Sequence, residues 1–161
     1  MRTFEPFHAC RCALLLAALL VGCQAPPVYQ VERTRSYAKA RPVVWNEILV
    51  FLERHRIVPV RADPGRGRLE AERHAFEDLG WADCERAWVT DNSSNSARPT
   101  RARPVARDLS LKIALEEVGS GVEVGLLARF TEQQIDPYRN LPFTQPCRSK
   151  GVLEKALLDA L

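Results

Sequence analysis

Cysteine is the residue whose position carries the clearest chemistry in this sequence. Cys23 closes the tetrapeptide Leu-Val-Gly-Cys at 20–23, after a basic start and an apolar run over 13–21. Such a pattern, with small residues before the cleavage point, is typical of a secretory signal peptide. The tetrapeptide looks like a bacterial lipobox, in which the cysteine sulfur is diacylated and the cysteine becomes the mature N-terminus. The sequence therefore predicts a signal peptide over 1–22 and lipidation of Cys23.

Two other interpretations of this segment stay open, a transmembrane anchor and an ordinary cleaved signal with a chance cysteine. The apolar run has nine residues, whereas a spanning helix needs about 20. Residues 23–27 contain two prolines and predict an extended, lipidated tether. Gln24 follows the cysteine. Under the enterobacterial sorting rule, Asp at this position would retain a lipoprotein in the inner membrane, whereas Gln permits its transfer to the outer membrane. A cell-envelope location is therefore expected, with the periplasmic face of the outer membrane favoured over the inner membrane.

Cys84 and Cys147 are the only cysteines after the lipobox. Disulfides persist in exported proteins, and two thiols allow only one pairing. The bridge would close a loop of 63 residues, worth roughly 4 kcal/mol in the chain-entropy model, less any strain. The alternative, a reactive thiol or a metal pair, lacks a C-x-x-C spacing and an adjacent histidine. The sequence predicts a structural disulfide.

A catalytic set is not evident among the remaining residues. His55 and His74 have no metal partner three or four residues away, so zinc is unsupported. Glu70 and Glu72, like the pair at 116–117, match surface charges on strands better than converging glycosidase carboxylates. The serines lack a G-x-S-x-G elbow. We expect no enzyme activity, no metal and no cofactor.

A basic run follows a polar, proline-containing stretch that predicts a mobile loop at about 91–104. Guanidinium groups match phosphate, so one interpretation is a contact with anionic headgroups. The other is a solvated loop. The formal net charge of +3 gives no reason to invoke nucleic acid. The members of the run are Arg98, Arg101, Arg103 and Arg107.

The elements that must position these residues follow from hydrophobic periodicity. Val44, Ile48 and Leu52 form one apolar stripe in a helix predicted over 42–55, with Pro42 in its first turn. Alternation of apolar and polar residues predicts the strands. Strands are predicted over 28–34, 56–62, 68–75, 87–90, 109–116 and 122–131, a turn over 63–67, a loop over 133–146 and a helix over 147–161. Pro59 marks 56–62 as an edge or bulged strand.

This order predicts one α+β domain over 28–161, with two layers. A mainly antiparallel sheet would carry the long helix and the C-terminal helix on its apolar face. The open, polar face of the strands would be left to solvent.

The stretch from Tyr37 to Ala71 carries a resemblance. A helix with the pair Val44-Trp45, a strand near Ile57 and the turn pattern from Asp63 to Leu69 resemble the helix-grip domains of small proteobacterial outer-membrane lipoproteins. The C subunit of the β-barrel assembly machine is the best-known relative of that style. The resemblance implies a helix-grip-like fold and an envelope location.

The function expected is that of a lipid-anchored, non-catalytic protein facing the periplasm. It would bind or scaffold another envelope component, a protein or an anionic lipid, and its anchor would hold it to the membrane. The alternative is a carrier of a small hydrophobic ligand between helix and sheet. The residues that would line such a cavity, or else fill a core, are Trp45, Phe51, Leu111, Ile113 and Val124.

Overall fold

The computed structural model describes residues 28–77, 79–91 and 98–161. The predicted signal peptide, Cys23 and the tether lie outside the described residues, as do residues 92–97 of the predicted loop. The elements are β1 (Thr34–Tyr37), α1 (Arg41–Arg54), β2 (Val58–Asp63), β3 (Arg68–Phe76), β4 (Ala82–Asp83), β5 (Trp88–Val89), β6 (Thr100–Arg101), β7 (Arg103–Val118), β8 (Gly121–Ile135), β9 (Pro142–Ser149) and α2 (Val152–Ala160). The chain is α+β with a mainly antiparallel sheet, as predicted. No helix in these ranges has the length and hydropathy of a membrane span.

A long hairpin of β7 and β8 forms the centre of the sheet. Among the described residues, seven strands pair in the order β2-β3-β7-β8-β9-β4, and β1 also pairs with β8. β5 and β6 form a separate pair. β2 lies at the sheet edge, as Pro59 predicts, and its register shifts between Pro59 and Arg61. The hairpin strands have 16 and 15 residues, longer than predicted, because the ladder continues to the pair of Arg103 with Ile135.

One hydrophobic core joins the helices to the sheet. Val44, Ile48 and Leu52 of α1 are buried in it, which confirms the predicted stripe. Burying one such side chain contributes roughly 1.5–3 kcal/mol. From the sheet the core takes alternate residues, among them Leu69, Leu111, Ile113 and Val124, and from α2 it takes Leu153, Leu157 and Leu158. We call the side of the sheet that carries these residues the covered face, and the opposite side the open face.

The C-terminal helix is shorter than predicted. It begins at Val152, and Cys147 belongs to β9 rather than to a helix. Pro142 and Pro146 suit a strand here because β9 pairs with β8 alone over 142–147. Proline costs no ladder hydrogen bond on the unpaired side of a strand.

The first strand and the loop are also shorter than predicted. β1 begins only at Thr34, because the backbone of Gln30 and Val31 passes close to Gly151 instead of along β8. The predicted loop over 91–104 ends early, since Thr100–Arg101 pairs with β5 and β7 begins at Arg103.

Candidate binding groove

A groove of about 640 Å³ crosses the open face of the sheet. Its lining comes from β2, β3, β7, β8 and β1 and from the residues that border these strands. Five neighbouring strands at about 4.8 Å spacing span roughly 19 Å. The groove is therefore long enough for an extended ligand. We call it the cross-strand groove.

The floor of the cross-strand groove consists of small residues brought into one row by strand register. Ala114 pairs with Gly125, and Gly125 pairs with Thr34. A Cβ atom at Gly125 would meet only ordinary contacts, 3.8–4.0 Å from atoms of Ala114 and Thr34. Glycine is thus not required there by crowding or by a left-handed backbone. A glycine inside a strand often marks a place where another group approaches closely.

Cations exceed carboxylates along the groove. The charged lining residues are Arg33, Arg61, Arg66, Arg68, Lys112, Asp63 and Glu70. Arg33 and Arg61 have no ion-pair partner within the described part of the chain. They lie near opposite ends of the groove, before β1 and in the edge strand β2. The groove therefore suits an anionic group more than a cationic one.

The other cations of the groove are paired weakly. Lys112 Nζ lies 3.0 Å from Glu70 Oε1, and an Arg68 nitrogen lies 3.2 Å from Glu116 Oε1. Arg66 Nε lies 3.8 Å from a carboxylate oxygen of Asp63. Ion pairs as exposed as these contribute about 0–1 kcal/mol. A bound anion can therefore compete for these cations.

The β2–β3 turn positions two of the arginines. The backbone N–H of Arg66 donates to Asp63 Oδ1 at 3.0 Å, which is the local bond expected of Asp in a turn. Gly67 has φ +63°, and a Cβ there would collide with the carbonyl oxygen of Leu115. Gly67 O also accepts a hydrogen bond from Leu115 N at 2.8 Å. This glycine lets the turn lie against β7 and sets the start of β3.

The structure does not gather the four arginines of the predicted basic run into one anionic contact. Arg107 is half-buried, and its Nε donates to Glu132 Oε1 at 3.0 Å, so its guanidinium is paired within the fold rather than presented on a loop. The guanidinium of Arg101 lies 3.9 Å from the centroid of the Trp88 ring and donates to Arg86 O at 2.6 Å. Arg98 and Arg103 are exposed on different segments. These arginines are separated because residues 100–107 do not form one loop: Thr100–Arg101 is β6, and β7 begins at Arg103.

A disulfide-held segment covers the polar end of the covered face. Cys84 and Cys147 are joined with an S–S distance of 2.05 Å, as the sequence predicts. Gln134 is fully buried, and its Oε1 accepts from Ala87 N at 3.0 Å. Its Nε2 donates to Glu85 O at 2.9 Å and to Glu132 Oε2 at 2.8 Å. These bonds hold residues 85–87 against β8.

The side chains considered for a ligand cavity lie within the core. Trp45, Phe51, Leu111, Ile113 and Val124 are all at most 9% exposed and belong to one cluster. The cross-strand groove is on the other side of the sheet. The five residues therefore contribute to the packing of the covered face.

The two histidines have different surroundings. His74 is exposed on the open face, 3.2 Å from Asp108 and 3.1 Å from Glu72, and its hydrogen bonds to Asp108 and then Glu72 raise its pKa. His55 directly follows α1, one residue beyond the end of the helix that was predicted to include it, and burial lowers its pKa, helped by the charges of Arg54 and Arg73. Within the described residues, no three His, Cys, Asp or Glu side chains are grouped to hold a metal ion.

No protein-family model and no curated protein matches the chain. Sequence reasoning missed Arg33, Ala114 and Gly125, because only strand register brings them together. The local signal that was present is Gly125, a glycine in the middle of an alternating strand.

Proposed function

We propose that this protein is a lipid-anchored, periplasm-facing envelope lipoprotein without catalytic activity, which binds another envelope component in the cross-strand groove. The observation that carries the proposal is the groove itself. It combines a floor of small residues with an excess of cations, and the structure offers no compensating partner for Arg33 or Arg61 among the described residues.

The sequence supports the anchor and the compartment. Cys23 ends a lipobox-like pattern, and Gln24 favours the outer membrane under the enterobacterial rule. The Cys84–Cys147 disulfide agrees with an oxidising compartment. Each of these features is expected of an exported lipoprotein.

The proposed fold style is helix-grip-like. The core contains side chains of α1, of α2 and of one face of the sheet, while the residues of the opposite face line an open groove. Helices on one side would leave the other side of the sheet free for a partner. This division supports binding on the open face.

Site-specific photo-crosslinking in intact cells tests the proposal. A photoreactive amino acid replaces Leu127, which lines the groove. Gly125→Val fills the floor without changing charge, and valine suits a strand. Ser110→Val is the matched control, a similar change on the open face of β7 but outside the groove. Circular dichroism and Tm confirm that each variant folds.

We expect an adduct to form at Leu127 in the parent and Ser110→Val proteins and to fall at least tenfold in Gly125→Val. Absence of any adduct, or an adduct that Gly125→Val leaves unchanged, would overturn binding in the groove.

A further inference from the structure

A second pocket, of about 360 Å³, lies where α1 ends. Its lining residues are Arg54, His55, Arg56, Arg73, Leu79 and Trp81. Arg54 is the last residue of α1, His55 and Arg56 follow it, Arg56 with φ +54°, and Arg73 reaches the pocket from β3. We call it the arginine pocket. None of the groove residues takes part in it.

The arginine pocket concentrates positive charge. No carboxylate lines it within the described part of the chain, and Arg54 and Arg56 have no ion-pair partner there. Arg73 donates to His55 O at 2.6 Å, and its guanidinium lies 5.5 Å from the centroid of the Trp81 ring. These contacts fix Arg73 beside the other cations. An anion in the pocket would offset the charges of Arg54 and Arg56.

The crowding of cations also acts on His55. Burial lowers its pKa first, and the charges of Arg54 and Arg73 lower it further. The imidazole ring lies 5.9 Å from the Trp81 ring, edge-on, so it reports on the same pocket. A bound phosphate would reverse the contribution of the arginine charges to this pKa.

The pocket lies near the place where the described chain begins. Tyr29 Oη donates to Asp83 Oδ2 at 3.1 Å, and Asp83 follows Trp81 by two residues. Two residues of extended chain cover about 7 Å. Val28 is 90% exposed at the start of this segment.

The tether is short. Only residues 24–27 lie between Cys23 and Val28, and the five residue steps from Cys23 to Val28 reach at most about 18 Å when fully extended. A lipid on Cys23 would hold the surface around Tyr29 and Asp83 close to the headgroups. Trp81, which lines the arginine pocket, is two residues from Asp83 and so links the pocket to that surface.

We propose that the arginine pocket binds the phosphate of anionic membrane lipids and holds this face of the domain against the leaflet. The inference rests on the proposed anchor at Cys23, since the short tether is what brings the pocket to a membrane. Guanidinium groups match phosphate oxygens in geometry and charge. Leu79, 43% exposed in the pocket wall, adds apolar surface that suits the interface.

Vesicle binding of a chain that cannot be acylated isolates this contact from the anchor. The protein spans 23–161 with Cys23→Ser, and so retains every described residue. Vesicles contain either phosphatidylcholine alone or phosphatidylcholine with phosphatidylglycerol. The test variant is Arg54→Gln with Arg56→Asn, because asparagine tolerates the left-handed backbone at position 56. Arg129→Gln with Arg139→Gln removes the same charge from exposed positions elsewhere.

We expect binding to the anionic vesicles only, weakened at least tenfold in the test variant and less than threefold in the control variant, since each basic residue held at a charged surface adds to the attraction. Equal losses in both variants would overturn the pocket as the contact and leave only a general effect of charge.

A second arm separates lipid from soluble phosphate. The His55 imidazole signals are followed by NMR with anionic vesicles and with millimolar inorganic phosphate. A rise of the His55 titration midpoint with vesicles supports the proposal. A rise with inorganic phosphate and none with vesicles would overturn the membrane assignment. Neither result affects crosslinking in the groove, so the two proposals fail separately.

Discussion

The two faces of the central sheet differ in what their side chains do. On the covered face, alternate residues such as Leu111 and Ile113 are at most 2% exposed and belong to the core that also contains residues of both helices. On the open face of the same strand, Lys112 and Ala114 line the cross-strand groove. One strand thus supplies the core with every second residue and a binding surface with the others. We therefore expect substitutions on the covered face to lower stability more than substitutions on the open face.

The covered face is itself divided. Its apolar part shares one core with buried residues of both helices, whereas residues 85–87, next to Cys84, are hydrogen-bonded to Gln134. Buried polar groups need their hydrogen bonds, because an unpaired one costs about 1–3 kcal/mol. The disulfide and the polar contacts therefore stabilise the polar end of the covered face, whereas hydrophobic burial stabilises the apolar end.

The largest effect is expected from Leu111→Ala. Leu111 is 1% exposed in the core, so its removal should lower the free energy of unfolding by about 3–4 kcal/mol. Leu127→Ala is the matched control, since Leu127 lies one strand away on the open face and is only half-buried. We expect it to cost less than about 1.5 kcal/mol in urea denaturation. Equal costs would remove the distinction between the faces.

Loss of the disulfide comes next. Cys84→Ser with Cys147→Ser should lower the free energy of unfolding by about 2–4 kcal/mol. Hydrogen exchange should accelerate at Ala87 N–H and Ala102 N–H, whose bonds lie in or against the held segment. The Leu115 amide, bonded to Gly67 O, serves as the internal reference. Uniform acceleration at all three amides would contradict a local role for the bridge.

Gln134→Leu tests the polar contacts alone. It leaves Ala87 N and Glu85 O without their side-chain partner, at a cost of about 1–3 kcal/mol. Gln133→Leu, the adjacent exposed residue on the opposite face, should change the free energy of unfolding by less than about 0.5 kcal/mol. Urea unfolding of the pair gives both values. A larger cost for Gln133→Leu would show that the faces are assigned wrongly.

The smallest effect concerns pH. The raised pKa of His74 means that the folded state binds its proton more tightly, so this stabilisation is present below the unfolded pKa of about 6.5 and is lost as pH rises through the folded pKa. The lowered pKa of His55 has the opposite sign, and stability falls as pH drops below about 6.5. NMR titration of the imidazoles should place the His74 midpoint above that of His55. Asp108→Asn should lower only the His74 midpoint, and the reverse order of midpoints would contradict the structure.

Local patterns were enough to predict α1, the central hairpin and the edge strand β2. The stripe of Val44, Ile48 and Leu52 needs no distant information. The disulfide also followed from the sequence, since only Cys84 and Cys147 remained to pair.

The errors come from non-local pairing. The prolines of β9 predicted a loop because the sequence does not show that this strand pairs on one side only. Arg107 was expected to be accessible, but register sets it opposite Glu132. The cross-strand groove depends on Thr34, Ala114 and Gly125 falling in one row, and that row exists only once three strands are aligned.

Mass spectrometry of the N-terminus, on protein isolated from its native membranes, tests the lipid anchor most directly. We expect the mature chain to begin at Cys23 with a diacylglyceryl group on sulfur, and to contain the Cys84–Cys147 bridge in non-reducing peptide maps. A chain that still begins at Met1, or one cleaved before Cys23 without lipid, would contradict the proposed envelope lipoprotein.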